Sequence, residues 1–151
     1  MKKVDVSDLK LLEILNRIPF FKKFSVSERK SFFSQSLSFL KCTANRNIIR
    51  QGDKETNFYI ILSGTASVMI RDEQQEVATL GPSYFIGEGA FIMNRPRTAT
   101  VIAKSDVLLV RLDQASLRRF PASVREKIKD QIIEGMAMRL ADMNTRLLET
   151  S

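Results

Sequence analysis

Two charged side chains in the middle of the chain have residue types and a spacing that could bind a ligand. Glu88 stands between two glycines in FIGEGAF, and Arg97 follows nine residues later in PRTATVIA. A planar guanidinium can hold a phosphate through two parallel hydrogen bonds, whereas an ionised carboxylate can only accept hydrogen bonds. A carboxylate beside a bound anion is favourable only where a hydroxyl of the same ligand donates to it. The pair therefore indicates a ligand whose phosphate lies close to a hydroxyl group.

The glycines beside Glu88 predict how the backbone approaches such a ligand. Glycine weakens the interior of a strand, and it permits dihedral angles and close approaches that other residues do not. We expect EGAFIM to form one or two helical turns, whose first amides lack internal partners and attract an anion. Arg97 should begin the next strand and point at these amides. One arginine and one set of amides suit a singly charged phosphodiester.

A 3',5'-cyclic nucleotide meets both requirements, because its phosphate is tied into a ring and its ribose keeps a free 2'-hydroxyl. On chemistry alone an alternative stays open. Glu88 could merely favour the beginning of a helix electrostatically, and Arg97 could merely pair with an acidic surface residue. The two charged residues alone do not decide between these interpretations.

Helices are predicted before the central region. Apolar residues recur at helical spacing after Ser7, which could cap a helix over 7–17, and Pro19 should end it. The stretch FSVSERKSFFSQS predicts a second helix, capped by Ser25 or Ser27, with Glu28 in its first turn. We therefore place the N-terminal helices at 7–36.

Strands and then further helices are predicted after residue 37. Seven or eight short β-rich segments separated by turn residues fill 37–112, a pattern typical of a sandwich or barrel. Helices should fill 113–149, and the second has an apolar stripe of Ile128, Ile132, Met136, Leu140, Met143 and Leu147. The predicted fold is α+β and mainly β. It is an antiparallel β-roll, a jelly-roll-like barrel of about eight strands, flanked by N-terminal helices and a C-terminal helix.

The composition limits the function classes. The 151 residues predict a single domain over 1–151, and they include no histidine and one cysteine. That count excludes Ser-His-Asp triads and the usual zinc ligand sets. Lys, Tyr or carboxylate chemistry stays formally possible, but no cluster of these residues stands out in the sequence. We therefore expect no cofactor, no metal and no enzyme activity. Cys42 is predicted to be a small buried apolar residue. Neither a spanning segment nor a signal peptide is present in the sequence, which indicates the cytoplasm.

Three blocks of sequence resemble the cyclic nucleotide-binding domain family, which includes regulatory subunits of protein kinase A and the catabolite activator protein. IGEGAF followed by PRTATVIA is similar to the family's phosphate-binding cassette, here 85–100, with the same spacing from glutamate to arginine. IIRQGDKETNFYIILSGTASV and IPFFKKFSVSE resemble its barrel and helical lead-in. The resemblance spans about residues 10–148.

The resemblance implies roles for individual residues. Glu88 matches the glutamate that holds the ribose 2'-hydroxyl, and Arg97 matches the arginine that pairs with the cyclic phosphate. Gly87, Gly89 and Ala90 match backbone positions around the phosphate. The hydroxyl of Thr98 is similar to that of members selective for cGMP, but it also occurs in cAMP binders and does not decide the base. Gly89 departs from a common leucine, which could weaken affinity.

The resemblance implies a sensor of cAMP or cGMP that moves its C-terminal helix over the base, with Met136, Leu140 and Met143 as its cover. That helix could also form a homodimer. Met1 indicates a natural start of the chain. We expect an effector that is either a C-terminal domain following LLETS or a separate partner protein. Two alternatives are a nucleotide-independent interaction domain and a nucleic-acid binder that uses the net charge of +7. The basic residues are dispersed, which makes nucleic acid the weaker alternative.

Overall fold

The computed structural model describes residues 1–33, 37–70 and 74–150. The helices are α1 (Asp8–Arg17), α2 (Pro19–Lys22), α3 (Val26–Phe33), α4 (Glu88–Met93), α5 (Gln114–Arg119) and α6 (Ala122–Thr150). The strands are β1 (Lys2–Val4), β2 (Ser38–Cys42), β3 (Asn47–Ile49), β4 (Phe58–Ser63), β5 (Ala66–Ile70), β6 (Gln75–Leu80), β7 (Phe85–Ile86), β8 (Thr100–Ala103) and β9 (Val107–Leu112). The predicted order of helices, strands and helices is confirmed, with an additional short strand at the N-terminal end.

The strands form two sheets in which every neighbouring pair is antiparallel. One sheet has the order β1-β2-β9-β4-β7, and the other has the order β3-β8-β5-β6. The antiparallel β fold with flanking helices is confirmed. The predicted closure into a barrel is wrong, because the edge strands of the two sheets do not pair with one another in the described part of the chain.

Strand β4 shows why the sheets stack as layers. Side chains alternate across a strand, and in β4 both faces are apolar. Phe58, Ile60 and Leu62 join a core shared with the helices. Tyr59 and Ile61 join a second core that lies between the two sheets. The five-stranded sheet is therefore the middle layer, with the helices on one face and the four-stranded sheet on the other. Cys42 is buried in the second core, as predicted.

Side-chain caps fix where the N-terminal helices begin. The hydroxyl of Ser7 accepts a hydrogen bond from the amide of Lys10 at 3.2 Å. Ser25 and Glu28 form a reciprocal capping box, in which each side chain accepts a hydrogen bond from the other residue's amide, at 2.9 and 3.1 Å. Both predicted helices are confirmed up to Phe33, and residues 34–36 of the second lie outside the described residues. The sequence did not predict α2, which proline begins rather than prevents.

The long helix α6 packs on the rest of the fold mainly through its N-terminal half. Ile128 and Ile132 are buried in the helical core, whereas Leu140 and Leu147 are 60% and 56% exposed. The predicted apolar stripe is therefore covered only in part, because α6 extends past the helical core and along the four-stranded sheet. None of the helices in the described segments is long and apolar enough to cross a membrane.

Candidate functional site

The cassette begins with a turn that requires glycine. After the two residues of β7, Gly87 adopts φ +80°, in the left-handed region, and α4 begins at Glu88. A Cβ atom at Gly87 would collide with the guanidinium of Arg97. The predicted helical turn EGAFIM is confirmed over Glu88–Met93. Glycine thus allows both the backbone turn and the close approach of an arginine.

Arg97 is buried, at 4% exposure. Hydrogen bonds hold both its backbone and its guanidinium in position. Its amide donates to the carbonyl of Asp53 at 2.8 Å, and its carbonyl accepts from the amide of Gly52 at 2.8 Å. One terminal nitrogen donates to the carbonyl of Gly87 at 2.7 Å, and the other donates to the carbonyl of Asn57. The prediction that Arg97 begins a strand is wrong, since β8 begins at Thr100. The loop of residues 50–53 holds it instead.

The charge of the Arg97 guanidinium is only partly compensated. None of the ion pairs found within residues 1–33, 37–70 and 74–150 includes it. Burial lowers the pKa of Arg97, and the surrounding carboxylates, Glu55 first and Glu88 last, only partly oppose that shift. Its Nε is buried without a hydrogen-bond partner. A buried cation of this kind favours a bound anion, because unpaired charges are costly away from water.

Glu88 is more deeply buried than Arg97, at 2% exposure. Its Oε1 accepts from the guanidinium of Arg139, a residue of α6. The same nitrogen of Arg139 donates to the carbonyl of Phe85 at 3.0 Å. The second oxygen of Glu88, Oε2, is buried without a hydrogen-bond donor. An ionised carboxylate oxygen in that position can accept a hydrogen bond from a ligand hydroxyl.

One cavity of about 390 Å³ brings the predicted residues together. All six predicted site residues line it: Gly87, Glu88, Gly89, Ala90, Arg97 and Thr98. The residues expected to cover a base also line it: Met136, Leu140 and Met143. Its volume lies within the range of about 300–1,000 Å³ typical of small-molecule sites. We call this space the cassette cavity.

Several lining residues were not predicted from the sequence. Apolar side chains of the four-stranded sheet, Ile49, Val68 and Val101, form one wall. Arg139 and Arg95 also line the cavity. Arg139 could have been found, because it lies three residues after Met136 and therefore on the same helix face. The wall residues could not, because only the stacking of the two sheets brings distant strands to one cavity.

A model of the cyclic nucleotide-binding domain family matches residues 39–123, more than half of the chain. Among solved structures, the chain is similar to a cyclic nucleotide-binding domain from Methylobacillus flagellatus KT, with 23% identity and a TM-score of 0.74. That alignment covers 93% of this chain and 82% of the other.

Two protein kinase A structures are also similar. The regulatory domain of Toxoplasma gondii protein kinase A, crystallised with cAMP, has 26% identity and a TM-score of 0.61, with 79% of this chain and 47% of the other covered. The regulatory subunit of a cAMP-independent protein kinase A from Trypanosoma brucei has 28% identity and a TM-score of 0.62, with 79% and 42% covered. The chain thus spans less than half of each of these two proteins. With its matched family model and its cassette, the chain belongs to the cyclic nucleotide-binding domain family.

Proposed function

We propose that the chain binds a 3',5'-cyclic nucleotide, cAMP or cGMP, in the cassette cavity and acts as a regulatory sensor rather than an enzyme. One observation carries this proposal. The same cavity is lined by Arg97, which forms no ion pair with any residue that the structure describes, and by Glu88, whose buried Oε2 lacks a hydrogen-bond donor there. A cyclic nucleotide supplies one anionic phosphate and one ribose hydroxyl donor, which satisfies both groups. Burying either group without a partner is unfavourable, so the bound state should be more stable than the empty one.

The unused hydrogen-bonding groups define how the ligand would lie. Arg97 has five N–H donors, and its two bonds to carbonyl groups leave Nε and further terminal donors for the cyclic phosphate. The 2'-hydroxyl would donate to Oε2 of Glu88. Gly87, Gly89 and Ala90 would place backbone next to the phosphate, and Thr98 would lie at its edge. The base would then lie between the four-stranded sheet and α6.

Arg139 offers a route from the ligand to helix α6. Its guanidinium connects α6 to the carboxylate that would hold the ribose and to the carbonyl of Phe85. Met136 and Leu140 of the same helix line the cavity that the base would fill. A ligand shifts such a helix only through its different affinities for the two helix positions. We propose that ligand contacts with Glu88 and with this helix face provide that difference.

The regulatory role of the chain is proposed from its similarity to another protein. The Toxoplasma gondii relative is a regulatory domain of protein kinase A that was crystallised with cAMP. We propose that this chain likewise regulates an effector in the cytoplasm, either fused to it or bound as a partner.

A ligand analogue tests the proposed geometry directly. Isothermal titration calorimetry with cAMP and cGMP should show saturable binding, and both nucleotides should raise the melting temperature. The 2'-deoxy analogue of the tighter ligand should bind about 10- to 150-fold more weakly, because it lacks one hydrogen bond to a charged group. In a Glu88→Ala variant, the nucleotide and its 2'-deoxy analogue should bind with equal affinity. This comparison isolates the contact between the 2'-hydroxyl and the carboxylate. No change in melting temperature with either nucleotide at saturating amounts would rule out the proposal.

A nucleotide-independent interaction domain is the second candidate. The two terminal nitrogens of Arg97 already donate to protein carbonyls, and the Trypanosoma brucei relative is described as cAMP-independent. Exposed apolar residues of α6 at seven-residue spacing, Ile133, Leu140 and Leu147, could pair with a second copy. This candidate predicts that the chain sediments as a dimer. Leu140→Glu should disrupt the dimer, whereas Arg97→Ala and added cAMP should leave it unchanged.

A further inference from the structure

A second cavity, of about 470 Å³, is lined by all three residues of β3. Residues of β1 and β2 also line it, and Ile49 lines both cavities. The two cavities therefore adjoin at Ile49. We call the second space the edge cavity, because it lies where the edge strands β1 and β3 of the two sheets approach each other. The residues proposed to bind the cyclic nucleotide, Glu88 and Arg97, do not line it.

The charges around the edge cavity are strongly unbalanced. It is lined by four basic residues and one acidic residue: Lys2, Lys41, Arg46, Arg50 and Asp53. Lys41 forms an exposed ion pair with Asp106 at 3.5 Å. Within the described segments, no ion pair includes Lys2, Arg46 or Arg50. The edge cavity is therefore a positively charged concavity, although the basic residues are dispersed along the sequence.

Two of these cations are also direct neighbours in a sheet. Lys2 and Lys41 are partners in the antiparallel pair of β1 and β2, so their side chains lie on the same face of the sheet. Like charges directly opposite each other destabilise a sheet. Asp106 already pairs with Lys41, so an anion held near Lys2 would reduce the repulsion that is left.

The shape of the site favours a small ligand over a macromolecule. A volume of about 470 Å³ falls within the range of sites for small molecules, about 300–1,000 Å³. Non-specific binding of nucleic acid depends instead on many phosphate contacts along an extended basic surface. The four cations outnumber two carboxylates, that of Asp53 and that of Asp106, which pairs with Lys41. This excess favours an anion with two or three negative charges, and arginine is suited to bidentate phosphate recognition.

We propose that the edge cavity is a second anion site, separate from the cassette cavity, which takes a small phosphorylated ligand with two or three negative charges. Arg46 and Arg50 would hold the phosphate groups, and Lys2 and Lys41 would supply further positive charge. This proposal does not depend on binding of a cyclic nucleotide.

Pyrophosphate is a suitable probe for the site. At low ionic strength we expect one equivalent to bind to the whole chain in calorimetry, with backbone amide shifts in nuclear magnetic resonance spectra concentrated at residues 41–46. The Arg46→Ala/Arg50→Ala variant should bind at least about tenfold more weakly, because two charge-assisted contacts are lost. Arg118→Ala/Arg119→Ala is the matched control, since it removes two equally exposed charges from α5, outside the cavity, and should keep the affinity.

Four outcomes would overturn the proposal. Equal loss of affinity in the two double variants would show diffuse charge attraction, and shifts concentrated at residues 87–98 would place the anion in the cassette cavity. Absence of pyrophosphate binding would remove the site. Binding of polyglutamate or single-stranded DNA without pyrophosphate binding would assign the surface to a macromolecule. In urea unfolding, both variants should show cooperative transitions like that of the wild type, since the substituted arginines are exposed.

Discussion

Substituting Gly87 by alanine tests whether the cassette turn is required for the position of Arg97. Gly87 has φ +80°, and an alanine in the left-handed region costs about 1–2 kcal/mol. The new Cβ would also displace the guanidinium from the carbonyl of Gly87, a hydrogen bond of 2.7 Å. Losing a hydrogen bond to a charged group costs about 1.5–3 kcal/mol. We therefore expect Gly87→Ala to lower the free energy of unfolding by about 2.5–5 kcal/mol and to impair nucleotide binding.

Gly89 is a matched control on the other side of Glu88. A Cβ at Gly89 meets no atom within 4 Å, and the residue lies inside α4 without a positive φ. Gly89→Ala should therefore raise the free energy of unfolding by up to about 1 kcal/mol, because alanine favours helix. Urea unfolding of the ligand-free chain, followed by circular dichroism, measures both variants. If Gly87→Ala were as stable as the wild type, or if both glycines responded alike, the proposed role of the turn would be refuted.

Three further predictions address single side chains. Arg97→Lys should weaken nucleotide binding at least about tenfold, because an ammonium cannot replace the guanidinium fork. Calorimetry measures its affinity beside that of the control variant Arg118→Lys. If the two variants bound the nucleotide equally well, Arg97 would lie outside the site. The hydrogen bond from Lys127, followed by the amide of Ser25, lowers the pKa of Glu28 from 4.5 to about 2. The ionised form thus contributes stability above pH 4.5 that is lost as the pH falls toward 2. Between about pH 6 and pH 3, the free energy of unfolding of Glu28→Gln, measured with urea, should therefore fall less than that of the wild type. An equal fall in both proteins would contradict this. Arg139→Gln should accelerate hydrogen exchange in residues 136–147 of α6, since it removes the link to Glu88; unchanged exchange would show that the helix is held elsewhere.

Local chemistry made part of the fold predictable. The cap at Ser7 was identified from residue type and spacing, and Ser25 was one of two candidates for the next cap. Each accepts the expected amide hydrogen bond. The short helix EGAFIM was predicted because glycine is unfavourable within a strand. In contrast, α2 and β1 were missed. The first is a single turn of helix, and the second is a three-residue edge strand whose pairing partner lies about 40 residues away.

The cassette residues were predicted from a short sequence segment, whereas the rest of the cavity was not. Glu88 and Arg97 were chosen because their chemistry is complementary to a phosphate and a hydroxyl, and both line one cavity. The carbonyl partners of Arg97, at Gly87 and Asn57, and the pairing of Glu88 with Arg139 were not predicted. The roles of these residues in binding, and the single-domain organisation, stay predictions.

The sequence by itself determined most of the elements, the caps of the N-terminal helices and the two charged residues of the cassette, because these depend on interactions between residues near each other in the chain. Only the tertiary structure decided that the two sheets stay open, that Arg139 reaches Glu88 across 51 positions, and that four dispersed cations surround one cavity. Those features depend on how strands and helices stack. Which distant strands become neighbours, and how deeply their side chains are buried, depends on the packing of the whole core rather than on a local pattern.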